Sequence, residues 1–228
     1  MQHIIGFLRQ LSAHNDREWF AAHKAEYTAV QARFVALTEQ LIGRIGAFDD
    51  TIAPLSVKDC TYRIYRDTRF SNDKSPYKTH MGCFLCRGGK KSGYSGYYFH
   101  IGVDEKGEYP AAHMLASGNY CIEPRALQIL REDITIGQGD FEQTLQVADP
   151  RFVLDESYKL KRAPKGYDET SPYIDLLKYK VFCLCSDVTT AEMTAPDVVE
   201  HVAAMFATTK PFVDYVNRAI EYARHEQP

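Results

Sequence analysis

Apolar residues at Phe20, Tyr27, Val30, Phe34, Leu37, Leu41 and Ile45 recur at steps of three, four or seven, which puts them on one stripe of a long amphipathic helix. Asn15-Asp16-Arg17-Glu18 supplies its start, Asn15 capping the first amides while Glu18 reaches back to the cap. Gly43 and Gly46 weaken the far end, so the helix is predicted to stop near Phe48. The period then shortens. Tyr62–Phe70 and Tyr77–Cys86 read as strands, Arg87–Gly93 as a glycine-rich loop, and Tyr94–Val103 as a further strand. Asp104–Gly107 reads as a tight turn into a strand at Glu108–Leu115, which completes an antiparallel meander over about 62–115. Pro124 opens a short helix and Asp140 a second, and Phe152-Val153-Leu154 reads as an edge strand. Ser171-Pro172 starts a helix through Leu177, followed by a buried strand at Tyr179–Cys185. Pro196 starts the last helical region, which Lys210-Pro211 should kink or restart. No repeat or linker divides the chain. The expectation is one α+β domain over residues 1–228, its central sheet packed by long N- and C-terminal helices.

Composition changes this picture little. The 15 tyrosines suit half-buried sheet surfaces, where the ring packs and the hydroxyl finds a partner. A net charge of -3 and a pI of about 6.2 exclude bulk electrostatics as a basis for polyanion binding. The opening residues show no basic flank before a long apolar run, and no stretch is apolar enough to span a bilayer. Six cysteines (60, 83, 86, 121, 183 and 185) are therefore expected as reduced thiols in a cytoplasmic protein with no membrane partner.

Charge distribution changes it more. Lys58 to Lys91 holds nine Lys or Arg against three Asp, a local +6 that leaves -9 for the rest of the chain. Within it, Arg63, Arg66, Arg69, Lys74, Tyr77 and Lys78 are candidate ligand contacts, with Lys165 joining from a second basic patch. Planar guanidinium donors beside ammonium point charges suit phosphate or carboxylate ligands. Asp67 and Asp73 either orient these cations or act as acid and base. The competing reading is an ion-paired loop in which the two aspartates simply hold Arg66, Arg69 and Lys74 in place.

Three blocks carry a resemblance: Asn15–Phe20 with His23-Lys24 and Tyr27, then Arg66–Thr79, then Pro164–Asp168 followed by Pro172 and Leu176-Leu177-Lys178. Together they resemble the conserved hypothetical protein family catalogued as domain of unknown function 2461. The resemblance implies one domain of this length with the polar blocks as shared features, and brings no established activity. The chain departs from the family at Leu115–Cys121, where such proteins carry a glycine-rich stretch with an aromatic. If that stretch shapes a pocket, ligand preference differs here.

Cys83-x-x-Cys86 and Cys183-x-Cys185 fall in predicted strands, where residues 83 and 86 point to opposite faces, so no metal site is assigned to them. No P-loop, dinucleotide fingerprint, nucleophile elbow or zincin motif is present, and the residues name no cofactor. The leading expectation is a site for an anionic group on a sheet face, serving hydrolysis or transfer. The alternatives are a nucleic-acid-binding module, opposed by the aspartates inside the patch, and a non-catalytic protein-interaction domain. Strand alternation adds His80 and His100, also candidates for catalysis, to the face of Lys78 and Tyr98. A symmetric hairpin pairs His80 with His100, and the next turn pairs His113 with Tyr98. That would put three imidazoles on one face, suited to metal binding or proton transfer.

Overall fold

The computed structural model describes residues 1–103 and 112–226. The turn expected at Asp104–Gly107 and the start of the strand expected from Glu108 lie outside the described residues.

The chain opens with α1 (Gln2–Ala13), ahead of the first expected element, burying Ile4, Ile5, Phe7, Leu8 and Leu11 on one stripe. Asp16 rather than Asn15 then caps α2 (Arg17–Ala22), accepting the Trp19 N–H at 2.8 Å. Asn15 is engaged elsewhere. It donates to the Tyr77 carbonyl at 3.0 Å and accepts the Tyr77 N–H at 3.1 Å, tying the N-terminal helices to the cationic segment. The expected long helix is broken at His23, and α3 (Lys24–Gly46) carries the buried stripe from Tyr27 to Ile45. A short α4 (Val57–Cys60) follows, closed by a Ser56–Asp59 capping box.

No strand forms at 62–70. Residues 61–66 run as an irregular margin beside 76–83, joined by the isolated bridges Thr61–Cys83 and Tyr65–Tyr77. The reason is local. Asp67 takes the Arg69 N–H at 3.2 Å and Asp73 the Ser75 N–H at 2.9 Å, diverting amides that a ladder would use. Pro76 has no N–H to give. Regular pairing therefore starts only at β1 (His80–Cys86).

Next come β2 (Gly96–Gly102), β3 (His113–Asn119), α5 (Pro124–Ile136), α6 (Asp140–Val147) and β4 (Val153–Leu154). The chain ends through α7 (Ile174–Leu177), β5 (Phe182–Asp187), α8 (Thr190–Met193) and α9 (Val198–His225). The strands form one antiparallel sheet in the order β1-β2-β3-β5-β4. The last long strand lies later than the Tyr179–Cys185 run. α9 passes through Pro211 without restarting, a helix about 42 Å long at 1.5 Å per residue. No helix among the described residues is long and apolar enough to cross a membrane.

One face of the sheet is covered by α1, α3 and α9. Cys83, Leu85, Tyr97, Phe99, Ile101 and Leu115 point into that layer and are fully buried. Phe34 meets Phe99 at 6.4 Å and Phe206 meets Tyr97 at 5.4 Å, so the central strands anchor both long helices. The alternation leaves the opposite face for the site.

Candidate functional site

On that opposite face lies a cavity of about 540 Å³. His80 and Phe84 from β1, Tyr98 and His100 from β2, and Cys183 and Cys185 from β5 all look into it, with Arg63 and Lys78 at the margin beside β1. The lining, among the described residues, contains no aspartate or glutamate.

The expected face of His80 and His100 is found, although the pairing is shifted by two residues: His80 pairs with Gly102, and Gly82 with His100. An even shift preserves the face, and the two rings stack at 4.4 Å. His113 is a correction. It pairs with Ile101, not Tyr98, a slip of three, and an odd slip turns the side chain to the helix-covered face. There its Nε2 meets the Thr190 hydroxyl at 3.2 Å. The three imidazoles do not share a face, and the described residues contain no metal-binding group of three or more His, Cys, Asp or Glu.

Both cavity histidines are held neutral. Burial, then the cations Lys78 and Arg66, push His80 down to about 4. Burial, then His80 and His113, push His100 down to about 3, while its Nδ1 shares a hydrogen bond with the Tyr98 hydroxyl at 3.0 Å. Lys78 is half-buried, and burial together with Arg63 lowers its pKa. Its Nζ stands over the Tyr62 ring at 5.5 Å, and no carboxylate among the described residues pairs with it.

The rest of the expected cationic cluster is arranged otherwise. Arg66 pairs with Asp73, Arg69 pairs with Asp67 at 2.7 Å, and Lys74 donates to the Thr68 carbonyl at 2.9 Å. None of these, nor the exposed Lys165, lines the cavity. Hydrogen bonds from the Ser75 hydroxyl and amide, then from Arg66, hold Asp73 far below the usual carboxylate range. The Arg69 guanidinium and amide lower the Asp67 pKa as well. Such depressed carboxylates are poor bases at neutral pH. Tyr77 is buried, stacked on Phe20 at 3.9 Å, and serves the core.

Lys90, Tyr94 and Tyr120 also line the cavity and were not singled out beforehand. The atypical stretch before Pro124 gave the strongest hint: Ala116, Gly118, Asn119, Tyr120 and Cys121 all face the cavity. Cys83 lies on the helix side and Cys86 on the other, each a free thiol, as strand alternation requires.

Fold and site together define an α+β protein with a ligand-sized cavity on one face of an antiparallel sheet. The family model described as conserved hypothetical protein (DUF2461) matches residues 3–215, and the chain belongs to that family. No curated protein and no solved structure matches it.

Proposed function

We propose that this protein binds a small molecule through a phosphate or carboxylate group in the sheet-face cavity. Lys78 and Arg63 hold the anion, and His80 is the base for hydrolysis or transfer at that group. The observation that carries this is the unpaired, half-buried Lys78 beside Arg63, in a lining free of acidic side chains among the described residues. A cation drawn partly out of water without a counter-ion is costly, and a bound anion supplies the missing partner. The His80 imidazole makes no hydrogen bond to a described residue and lines the cavity as a neutral ring. A bound anion would offset Lys78 and Arg66, raising the His80 pKa toward the range where a base is effective.

Calorimetric titration with inorganic phosphate, pyrophosphate and citrate tests this, wild type against Lys78→Gln. At least one anion should bind the wild type, and the variant should lose ten-fold or more in affinity, the range of one charge-assisted contact. Equal affinity in both proteins, or no binding by any of the three, contradicts the proposal.

Phe70, which is 96% exposed beside Arg69, favours a second reading in which this loop meets single-stranded nucleic acid. Binding to an oligonucleotide that weakens steeply with salt and disappears in Phe70→Ala would favour that reading over the cavity.

A further inference from the structure

We infer that the body of the ligand is a flat aromatic ring, so that the cavity takes aryl phosphates or aromatic carboxylates. The inference rests on the anion reading above and extends it from the head group to the rest of the molecule.

Towards β5 the floor of the cavity carries little side chain. Ala116 and Gly118 on β3 and Cys183 and Cys185 on β5 are all small, on strands one spacing apart, about 5 Å. Gly118, at φ +136°, excludes anything larger, because a Cβ there would meet the Phe182 carbonyl. Towards β1 the Tyr98 ring lies over Gly82, where a Cβ would come within 2.7 Å of the phenol oxygen, so that side of the floor is itself aromatic. Small side chains beside a ring suit a flat guest.

The walls are aromatic. Tyr62, Phe84, Tyr94, Tyr98 and Tyr120 all line the cavity, and Tyr94 and Tyr98 are held by their own neighbours. The guanidinium groups of Arg224 and Arg87 stand 4.1 and 5.1 Å from the Tyr94 ring centre. Its loop is tied down by Asn217, which accepts the Ser95 N–H at 2.7 Å, and by Asn119, which donates to the Gly93 carbonyl at 2.7 Å. Tyr98 meets Tyr62 edge-on at 6.5 Å and shares its hydroxyl with His100. Preset aromatic walls beside the small side chains of β3 and β5 lower the ordering cost for a planar guest and offer it ring faces and edges. A volume of about 540 Å³ leaves room for one or two fused rings carrying an anionic group.

The test pairs probes of matched size and charge: phenyl phosphate with cyclohexyl phosphate, and benzoate with cyclohexanecarboxylate, titrated into the full chain. In at least one pair the aromatic member should bind five-fold or more tightly than its saturated counterpart. Ala116→Leu, which raises the floor, should weaken the aromatic probe at least ten-fold and inorganic phosphate far less. Tyr94→Leu, altering a loop wall instead of a strand, should erase the aromatic preference if Ala116→Leu fails to fold. Saturated probes that bind as well as the aromatic ones, with Lys78→Gln weakening both, would overturn the ring inference and leave the anion reading standing. If no probe binds, or Lys78→Gln binds them all as wild type does, the anion reading falls and this one falls with it.

Discussion

Along β2, Tyr97, Phe99 and Ile101 are fully buried beneath the helices, while Tyr98 and His100, the residues between them, look into the cavity. The same alternation divides β1, where Cys83 and Leu85 face the helices and His80, Gly82 and Phe84 face the cavity. On the helix side the chain is filled with large apolar rings in mutual contact, and the sheet's own polar groups there find partners: Ser117 meets Thr209 at 2.6 Å, and the Tyr97 hydroxyl donates to Asp49 at 2.9 Å. On the cavity side the walls are aromatic, and Lys78 pairs with no carboxylate among the described residues. A sheet covered on both faces for stability alone has no reason to keep a half-buried cation that no described carboxylate pairs. The comparison separates residues that hold the sheet together from residues available to a ligand.

The largest effect that sharpens this contrast is Phe99→Ala, expected to cost about 3–5 kcal/mol by opening a cavity under α3. Phe84→Ala, on the half-buried opposite side of the neighbouring strand, is expected to cost about 1 kcal/mol. Urea unfolding of both variants measures the difference, and similar losses would erase the distinction between the faces.

A smaller effect follows from the histidines. His80 and His100 have folded-state pKa values of about 4 and about 3, below their ordinary 6.5, so the unfolded chain takes up protons first as pH falls. Their contribution is complete above about pH 6.5 and is lost as pH drops through 4 towards 3. It amounts to about 2–3 kcal/mol for the stacked pair, taken together rather than summed. Stability measured from pH 7 to 4 should fall accordingly, and His80→Gln with His100→Gln should flatten that slope. An unchanged slope would mean that these imidazoles are not held neutral by burial.

The smallest expected change is in the fold of Lys78→Gln. Removing a half-buried cation that pairs with no carboxylate among the described residues should leave stability within about 0.5 kcal/mol of wild type. A loss several times larger would make Lys78 a structural residue and remove it from the ligand site.

Much of the architecture was legible in the chain. The α3 stripe, the proline that opens α5, the edge position of β4 and the α+β class all follow from periodicity and punctuation. The irregular margin at 61–66 was not, because Thr61, Tyr62, Ile64 and Tyr65 are residues that strands favour while Asp67 and Asp73 divert the amides. Parity decided how much of the site could be read. Hairpin register erred by two between β1 and β2, which cost nothing, and by three between β2 and β3, which sent His113 to the wrong face. The cationic segment was visible as a run of charge, but the run cannot tell ion-paired members from unpaired ones. Arg66 and Arg69 meet Asp73 and Asp67, whereas Arg63 and Lys78 are left to the cavity. Its floor was hidden because Gly82, Ala116 and Cys183 are unremarkable until the strands bring them together.

The most direct measurement is the imidazole titration of His80 by nuclear magnetic resonance, with and without sulfate, an anion that does not itself titrate over pH 4–8. Alone, His80 should titrate at about 4, held down by burial and then by Lys78 and Arg66. Sulfate bound at Lys78 and Arg63 should raise that value by at least half a unit, and Lys78→Gln should abolish the sulfate-dependent part. A His80 titration that sulfate leaves untouched, or shifts equally in Lys78→Gln, would contradict the assignment of this sheet face as an anion site.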